Sequence, residues 1–500
     1  MNDQEPHYYD PTAGVAQAAQ QGPMKDFEEV VFAVRNKGRD WHWYANFGYH
    51  ITNERRIYYG GRGGYLMALN VHTGETRTIF QDKMGDIRDP AVHYDGKTIL
   101  FAYRKGGEEQ FHLYTIQSDG TGLTQLTQGK YDDFEPCWMP DGTIMFISSR
   151  CRRWVPCWYA QVAIMFRCNA DGSNIRQVSA GVETENTPWP LNDGRIIYTR
   201  WEYVDRGQSE FHGLWTVNPD GTKQMVFFDN QGRGMTLYID AKPVPNSPNV
   251  VTIISPKHGR NEHRGRMGVI DSSLGPDSEE AVHFVDRGYP LFNADEKKRG
   301  HLPDNTWRDP YPVGESHLLA ATLRSIVVMN SEGYYEPIYT LPEGEYDRLW
   351  VHEPRPLVAR PREPVVVDTV QPDTEEGTLV LADVSVGRRM GGVKPTEVKS
   401  LLIMEEMPRP VAKCAYPDAI GLQKNYVLHR VLGTVPVYED GSAHFKVPAG
   451  RPLFFVAQDE NGRSVKKMHS FLSVMQGETT SCVGCHEHRT RAPREKYDFG

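Results

Sequence analysis

Short apolar strands broken by Gly-containing turns recur along most of this 500-residue chain. The unit reads proline, short strand, turn, apolar strand. It occurs as DPAVHYDGKTILFAYR (89–104), EPCWMPDGTIMFISSR (135–150), TPWPLNDGRIIYTRW (187–201), KPVPNSPNVVTIISP (242–256) and DPYPVGESHLLAATL (309–323). The prolines at 90, 136, 188, 243 and 310 lie 46, 52, 55 and 67 residues apart. A second apolar strand running into a turn lies between them, in FHLYTIQSDG (111–120), AIMFRCNADG (163–172) and HGLWTVNPDG (212–221). A degenerate first copy fills 43–74, and a sixth ends in SIVVMNSEGYYEPIYTLP (325–342). A four-stranded sheet every ~40–50 residues is the period of a β-propeller. Six copies predict six blades over 27–350, with Asp-Gly turns supplying the positive φ that tight hairpins need. The early strand EEVVFAVR (28–35) is expected to complete the last blade and hide its open edge.

Strand direction alternates within a blade, so the loop entering each blade and the loop joining its second and third strands share one face. Those loops include QGKYDDFEP (128–136), SRCRRWVPCWYAQ (149–161), RWEYVDRGQSEFHG (200–213) and SPKHGRNEHRG (255–265), rich in Asp, Cys, His, Arg and Trp. The opposite turns are plain Asp-Gly. The chemistry is therefore expected on one face of the disc.

After the propeller, HEPRPLVARPREPVVVD (352–368) is dense in proline and aperiodic, which reads as an extended linker over 351–375. Strand-length apolar runs separated by EDGS and DENG turns then predict a small β-sandwich over 376–475. Residues 1–26 are polar and read as disordered or extended, and 476–500 form a terminal segment. The fold class is all-β: a six-bladed propeller, a small sandwich and a C-terminal c-type haem-binding segment.

Composition narrows the function. Aromatic residues at 11% with 46 Gly and 34 Pro suit a turn-rich β protein. A net charge of −9 argues against nucleic acid as a partner. No apolar run approaches the ~20 residues of a membrane-crossing helix. Seven cysteines, odd and sparse, do not make a disulfide scaffold.

The terminal SCVGCHEHRT (481–490) holds Cys482, Cys485 and His486. Two thioethers to haem vinyl groups need cysteines at this spacing, and the next residue then serves as the axial iron ligand. A zinc site needs further ligands, and only His488 is near. A thioredoxin-like pair needs a βαβ context that is absent. Two inert buried thiols are the plain alternative. Haem c is the cofactor this spacing favours. Covalent haem attachment occurs outside the bacterial cytoplasm, so the same reading expects a periplasmic or other extracytoplasmic location. The polar N-terminus carries no secretory signal, which points to trimming or to a fragment.

The blade units resemble the TolB-type propeller repeat. HWYANFGY (42–49), HYDGKTILFAYRKGG (93–107), TPWPLNDGRIIYTRWEYVDR (187–206), VLGTVPVYEDGSAHFKVPA (431–449) and VMQGETTSCVGCHE (474–487) together resemble the hydrazine synthase alpha-subunit-like proteins, which are multidomain c-type cytochromes. The resemblance implies a haem on Cys482 and Cys485 packed against the loop face, and a redox partner protein or further haem domain. It also implies redox chemistry on a small nitrogenous substrate, with an electron carrier or a propeller binding module as the alternatives. In that family the motif histidine can leave the iron for a zinc ion completed by an aspartate and a cysteine of the propeller. A tyrosine four residues after the histidine then ligates the haem. Here that position is Thr490, a departure from the pattern. The zinc candidates are Asp133, Cys151, Cys157 and His486, since Asp133 and the two cysteines are expected on one face of the third blade. Ordinary buried thiols and a turn-capping aspartate are the alternative.

Weaker candidates are His258 and His263 as distal or acid–base groups, Trp201, Glu202 and Tyr203 as pocket lining, and Arg104 and Lys105 as propionate partners. Met468 and His469 are candidates for the far side of the iron, and His42 and Trp43 for the start of the first blade.

Overall fold

The computed structural model describes residues 14–36, 49–52, 55–58, 63–156, 158, 160–204, 206, 210–230, 236–256, 259, 261–286, 307–344, 346, 349–387, 390–409 and 427–484. These residues form six blades and a two-sheet sandwich.

Blade 1 takes Leu349–Pro356 as its inner strand, followed outward by Glu29–Asn36, Gly64–Asn70 and Thr76–Asp82. Blade 2 is Asp86–Val92, Thr98–Arg104, His112–Gln117 and Thr124–Gln125; blade 3 is Asp133–Trp138, Ile144–Trp154, Gln161–Cys168 and Arg176–Gln177. Blade 4 is Glu185–Pro190, Ile196–Trp201, Phe211–Val217 and Met225–Phe228. Blade 5 is Thr236–Pro243, Val250–Pro256, Arg266–Ile270 and Val282–Phe284. Blade 6 is Arg308–Pro312, His317–Ala321, Ser325–Asn330 and Tyr335–Thr340. The inner strands contact one another in a closed ring. Between the blades lie buried apolar clusters, such as Phe101, Ile116 and Val31 between blades 1 and 2.

Two expectations need correction. The stretch read as the start of the linker is a propeller strand. Val351 pairs with Val34 and Arg355 with Val31, so the far strand completes the first blade rather than the near strand the last. Burial on both faces hides the strand from a periodicity reading: every residue but Trp350 is buried, His352 and Arg355 included despite their polarity. Second, the N-terminal stretch is not extended throughout, because Val15–Gln21 is a helix. Val15 and Ala19, four apart and so on one helical face, are buried against the apolar cluster of blades 1 and 6. Glu336 accepts the otherwise orphaned N–H groups of Val15 and Ala16 at 3.1 and 2.9 Å. The plain turn face is covered as well. The extended strap from Leu357 crosses it: Arg360 and Arg362 stack on Tyr94, Arg362 donates to the Pro140 carbonyl at 2.8 Å, and Thr369 N–H donates to Asp220 at 2.8 Å. An added Cβ at Gly96 or Gly194 would meet the strap backbone at 2.3 or 2.0 Å, which is why those turns need glycine twice over.

Each inner strand bulges at one residue of positive φ: Asp89, Glu135, Thr187, Asp240, Asp309 and Glu353, with φ of 57, 49, 49, 56, 53 and 50°. Each falls at a break in strand register. The fourth marker is thus Asp240, not the Pro243 of the sequence repeat. These residues link neighbouring blades. Glu135 N–H donates to Asp89 at 2.9 Å, Thr187 N–H to Glu135 at 2.5 Å, and Asp240 N–H to Thr187 Oγ1 at 3.0 Å. Glu353 N–H donates to Asp309 at 3.1 Å and Asp89 N–H to Glu353 at 3.4 Å.

The sandwich packs Glu376–Asp383, Ala443–Pro448 and Thr479–Gly484 against Ser400–Met407, Leu428–Pro436, Leu453–Gln458 and Ser464–Lys467. Leu379, Ile403, Val447, Leu453 and Val474 fill its core.

Candidate functional site

Cys482 lies on Thr479–Gly484, which runs parallel to Glu376–Asp383 with Cys482 opposite Leu381. The start of the terminal segment is therefore a built strand of the sandwich. Cys482 is half-buried and is in no disulfide. That state suits a thioether attachment. Cys485 and His486, with Cys157, Thr490, His42, Trp43 and His258, lie outside the described residues.

The strand is fastened to the propeller just before Cys482. Glu478, buried, accepts Lys223 N–H at 2.8 Å, Met475 N–H at 2.8 Å and Thr480 Oγ1–H at 2.8 Å. Lys223 Nζ donates to the Thr479 carbonyl at 2.6 Å. Lys223 follows the Asp-Gly turn of blade 4 and has a φ of 57°. Nearby, Arg200 is fully buried between two rings, 3.7 Å from the Phe471 centroid and 4.0 Å from that of Trp215. It donates to the Phe471 carbonyl at 2.6 Å and pairs with Glu202 at 2.9 Å. Glu202 accepts from Ser470 Oγ at 2.9 Å and from Arg206. Burial would raise the Glu202 carboxyl, but Arg206 and Arg200 outweigh it and hold it below the ordinary value. Val182, Val204 and Phe471 form an apolar plug beside this network.

A second seam joins blade 3 to the sandwich. Trp154 N–H donates to the Arg409 carbonyl at 2.9 Å, and Arg409 Nη1 to the Pro156 carbonyl at 2.9 Å. Two buried carboxyls, Glu183 and Glu406, lie along it. Burial, then the charge of Glu406, pushes Glu183 well above the ordinary carboxylate range. The sandwich thus does reach the loop face of the disc, at blades 3 and 4.

Asp133 is fully buried and committed to protein partners. It accepts from Ser148 Oγ at 2.5 Å and from Arg150 Nη2 at 2.7 Å, with His112 Nδ1 at 3.8 Å. The Cys151 thiol donates to the Val162 carbonyl at 3.2 Å, and burial pushes its pKa up to about 11. A zinc ion on Asp133 would have to displace Arg150 and deprotonate that thiol.

Other candidates resolve to packing. Trp201 stacks on Tyr203 and His212 with centroids 5.4 and 5.6 Å apart. Arg104 is buried in an ion pair with Asp86. Met468 N–H donates to the Phe455 carbonyl at 2.9 Å. His263 is not a solvated loop group: it lines a cavity on the propeller axis, 3.9 Å from Glu135. Sequence reasoning missed Lys223, Glu478, Arg200 and Phe471. Glu478 had one signal, an acid four residues before the first motif cysteine in an otherwise uncharged run.

Among known proteins, residues 396–487 match the family described as hydrazine synthase alpha subunit middle domain. That span includes Cys482, Cys485 and His486. Hydrazine synthase of Kuenenia stuttgartiensis is similar in fold, with a TM-score of 0.74 at 16% identity over 95% of this chain and 71% of that one. TolB of Acinetobacter baumannii aligns with a TM-score of 0.44 at 14% identity over 66% of each chain. No helix among the described residues is long and apolar enough to cross a membrane. Residues 396–487 are therefore similar to the hydrazine synthase alpha subunit middle domain, and over 95% of its length the chain shares the fold of the Kuenenia stuttgartiensis protein.

Proposed function

We propose that this chain is a c-type cytochrome-like redox protein, with haem tethered on Cys482 and Cys485 and ligated by His486. The reading rests on one observation: the Cys-x-x-Cys-His motif falls inside the family-matched segment, and its first cysteine lies on the strand that Glu478 and Lys223 fasten to the propeller. When bound, the haem supplies one-electron chemistry toward a small nitrogenous substrate, with a redox partner protein or further haem domain exchanging electrons. The chain's own residues do the rest. Lys223 and Glu478 fix the start of the motif strand. Arg200, Phe471, Val182 and Val204 exclude water from the adjoining seam. Burial holds the Glu183 carboxyl there well above the ordinary carboxylate range. The location that fits covalent attachment is extracytoplasmic. Zinc on Asp133, Cys151, Cys157 and His486 would require Arg150 to release Asp133, and the proposal does not need it.

The test is a pyridine haemochrome spectrum of protein made with a cytochrome c maturation system. A c-type spectrum lost on joint Cys482→Ala and Cys485→Ala substitution is expected; covalent haem in the double variant, or none in the parent, overturns the reading. Carbon monoxide added to the reduced protein then separates an enzyme with an open iron position from an electron carrier, whose spectrum stays unchanged.

A further inference from the structure

The ring of Asp89, Glu135, Thr187, Asp240, Asp309 and Glu353 on the propeller axis has one link missing. Five members accept the backbone N–H of the next blade's member. Among the described residues no such bond runs from Asp240 to Asp309. Asp240 Oδ1 instead accepts from Lys242 Nζ, and Oδ2 has no hydrogen-bond partner although the side chain is only 5% exposed. Leaving a buried carboxylate oxygen unsatisfied costs on the order of 1–3 kcal/mol. The gap opens on a cavity of about 40 Å³, room for roughly two or three waters or one partly hydrated ion.

Five carboxylates line this cavity, those of Asp89, Glu135, Asp240, Asp309 and Glu353, against the cations Lys242 and Arg355. Arg88 is spent on Asp89 at 2.8 Å, and Arg35 on Glu262 and Glu353 at 2.5 and 3.1 Å. Beside the His263 ring, the donors lining the space are carboxyl oxygens, which favour a hard cation, and calcium tolerates irregular oxygen shells better than magnesium. Asp309, His352 and Glu353 also place ligand atoms within 4.8 Å of one another. Within that trio His352 is turned to a cation, since Arg308 Nη1 lies 3.4 Å from both of its ring nitrogens.

The geometry points to a calcium-class cation on the propeller axis at the missing link, held by Asp240 Oδ2 and Asp309 with Glu135 and Glu353 in the same cavity. Burial pushes Glu135 up to about 8, with Asp89 adding to it against Arg88. Burial likewise pushes Glu353 up to about 8, with Asp309 and Asp89 adding to it against Arg35 and Arg88. His263, Asn186 and the Thr187 N–H also face Glu135, and His352 faces Glu353.

The test uses the full chain after chelator treatment, titrated with calcium by calorimetry. One site per chain is expected, at least tenfold weaker in Asp240→Asn and unchanged in Asp193→Asn on the surface. Trp189 lines the cavity, so terbium bound there is sensitised by tryptophan excitation. Trp189→Phe removes that emission without removing a ligand, which keeps the test decisive if Asp240→Asn fails to fold. No saturable binding at millimolar calcium, full binding in Asp240→Asn, or undiminished terbium emission in Trp189→Phe each overturns the proposal.

Discussion

Lys223 donates its backbone N–H to Glu478 at 2.8 Å, and that bond ties a turn of blade 4 to the strand carrying Cys482. Glu478 is buried and accepts two further donors, so Glu478→Ala strands three of them. We expect a loss of about 2–3 kcal/mol in urea unfolding. We also expect faster proteolysis of the terminal segment. A variant as stable and as protease-resistant as the parent would mean the fastening lies elsewhere.

Arg200 joins blade 4 to the sandwich through a ring on each side, one carbonyl and one carboxylate. Arg200→Met keeps bulk but leaves Glu202 buried beside Arg206 alone. A loss of about 3 kcal/mol is expected, and Arg200→Met with Glu202→Gln should recover part of it. A double-mutant cycle on denaturation midpoints measures the coupling. Purely additive effects would refute it.

His212 is fully buried, and burial pushes its pKa down from 6.5 to about 3. A histidine depressed in the fold is neutral there while its unfolded form takes a proton below pH 6.5. Its contribution is complete above pH 6.5 and is lost as pH falls toward 3, by about 1.4 kcal/mol per unit. His212→Phe should flatten the stability profile between pH 6 and 4 by that slope. Equal slopes in the two proteins would count against the assignment.

Asp133→Asn breaks a buried pair with Arg150. About 3 kcal/mol of stability should go, with zinc content by elemental analysis unaltered. A stable variant that had lost zinc would instead make Asp133 a ligand.

Tyr94 holds the strap by donating to Glu363 and stacking under Arg360 at 4.0 Å. Tyr94→Leu should expose the strap near Arg360 to trypsin while the propeller core resists. Unchanged cleavage would show that the strap is secured by its other contacts.

Six blades and a sandwich were legible because strand period and Asp-Gly turns are local signals. The inner strand of blade 1 was not, because EPRP looks like a linker until Arg355 is seen paired with Val31. The ring on the axis was largely legible: Asp-Pro, Glu-Pro and Thr-Pro mark five bulges, one of them hidden in the stretch that looked like a linker, but Asp240 precedes alanine and escaped the pattern. The motif cysteines are a spacing signal and need no fold to be read. Arg200 and Phe471, 271 positions apart, meet only through tertiary packing, and no local rule reaches that far.

Leu349–Pro356 has one more effect, on the order of events at the ribosome. Its partner Glu29–Asn36 emerges about 320 residues earlier, which at ordinary synthesis rates is roughly a quarter of a minute to a minute. For that interval a nascent three-stranded sheet keeps a long apolar border open to strangers. The cell that makes this chain must shield that border, or lose product to clumping before the disc can shut.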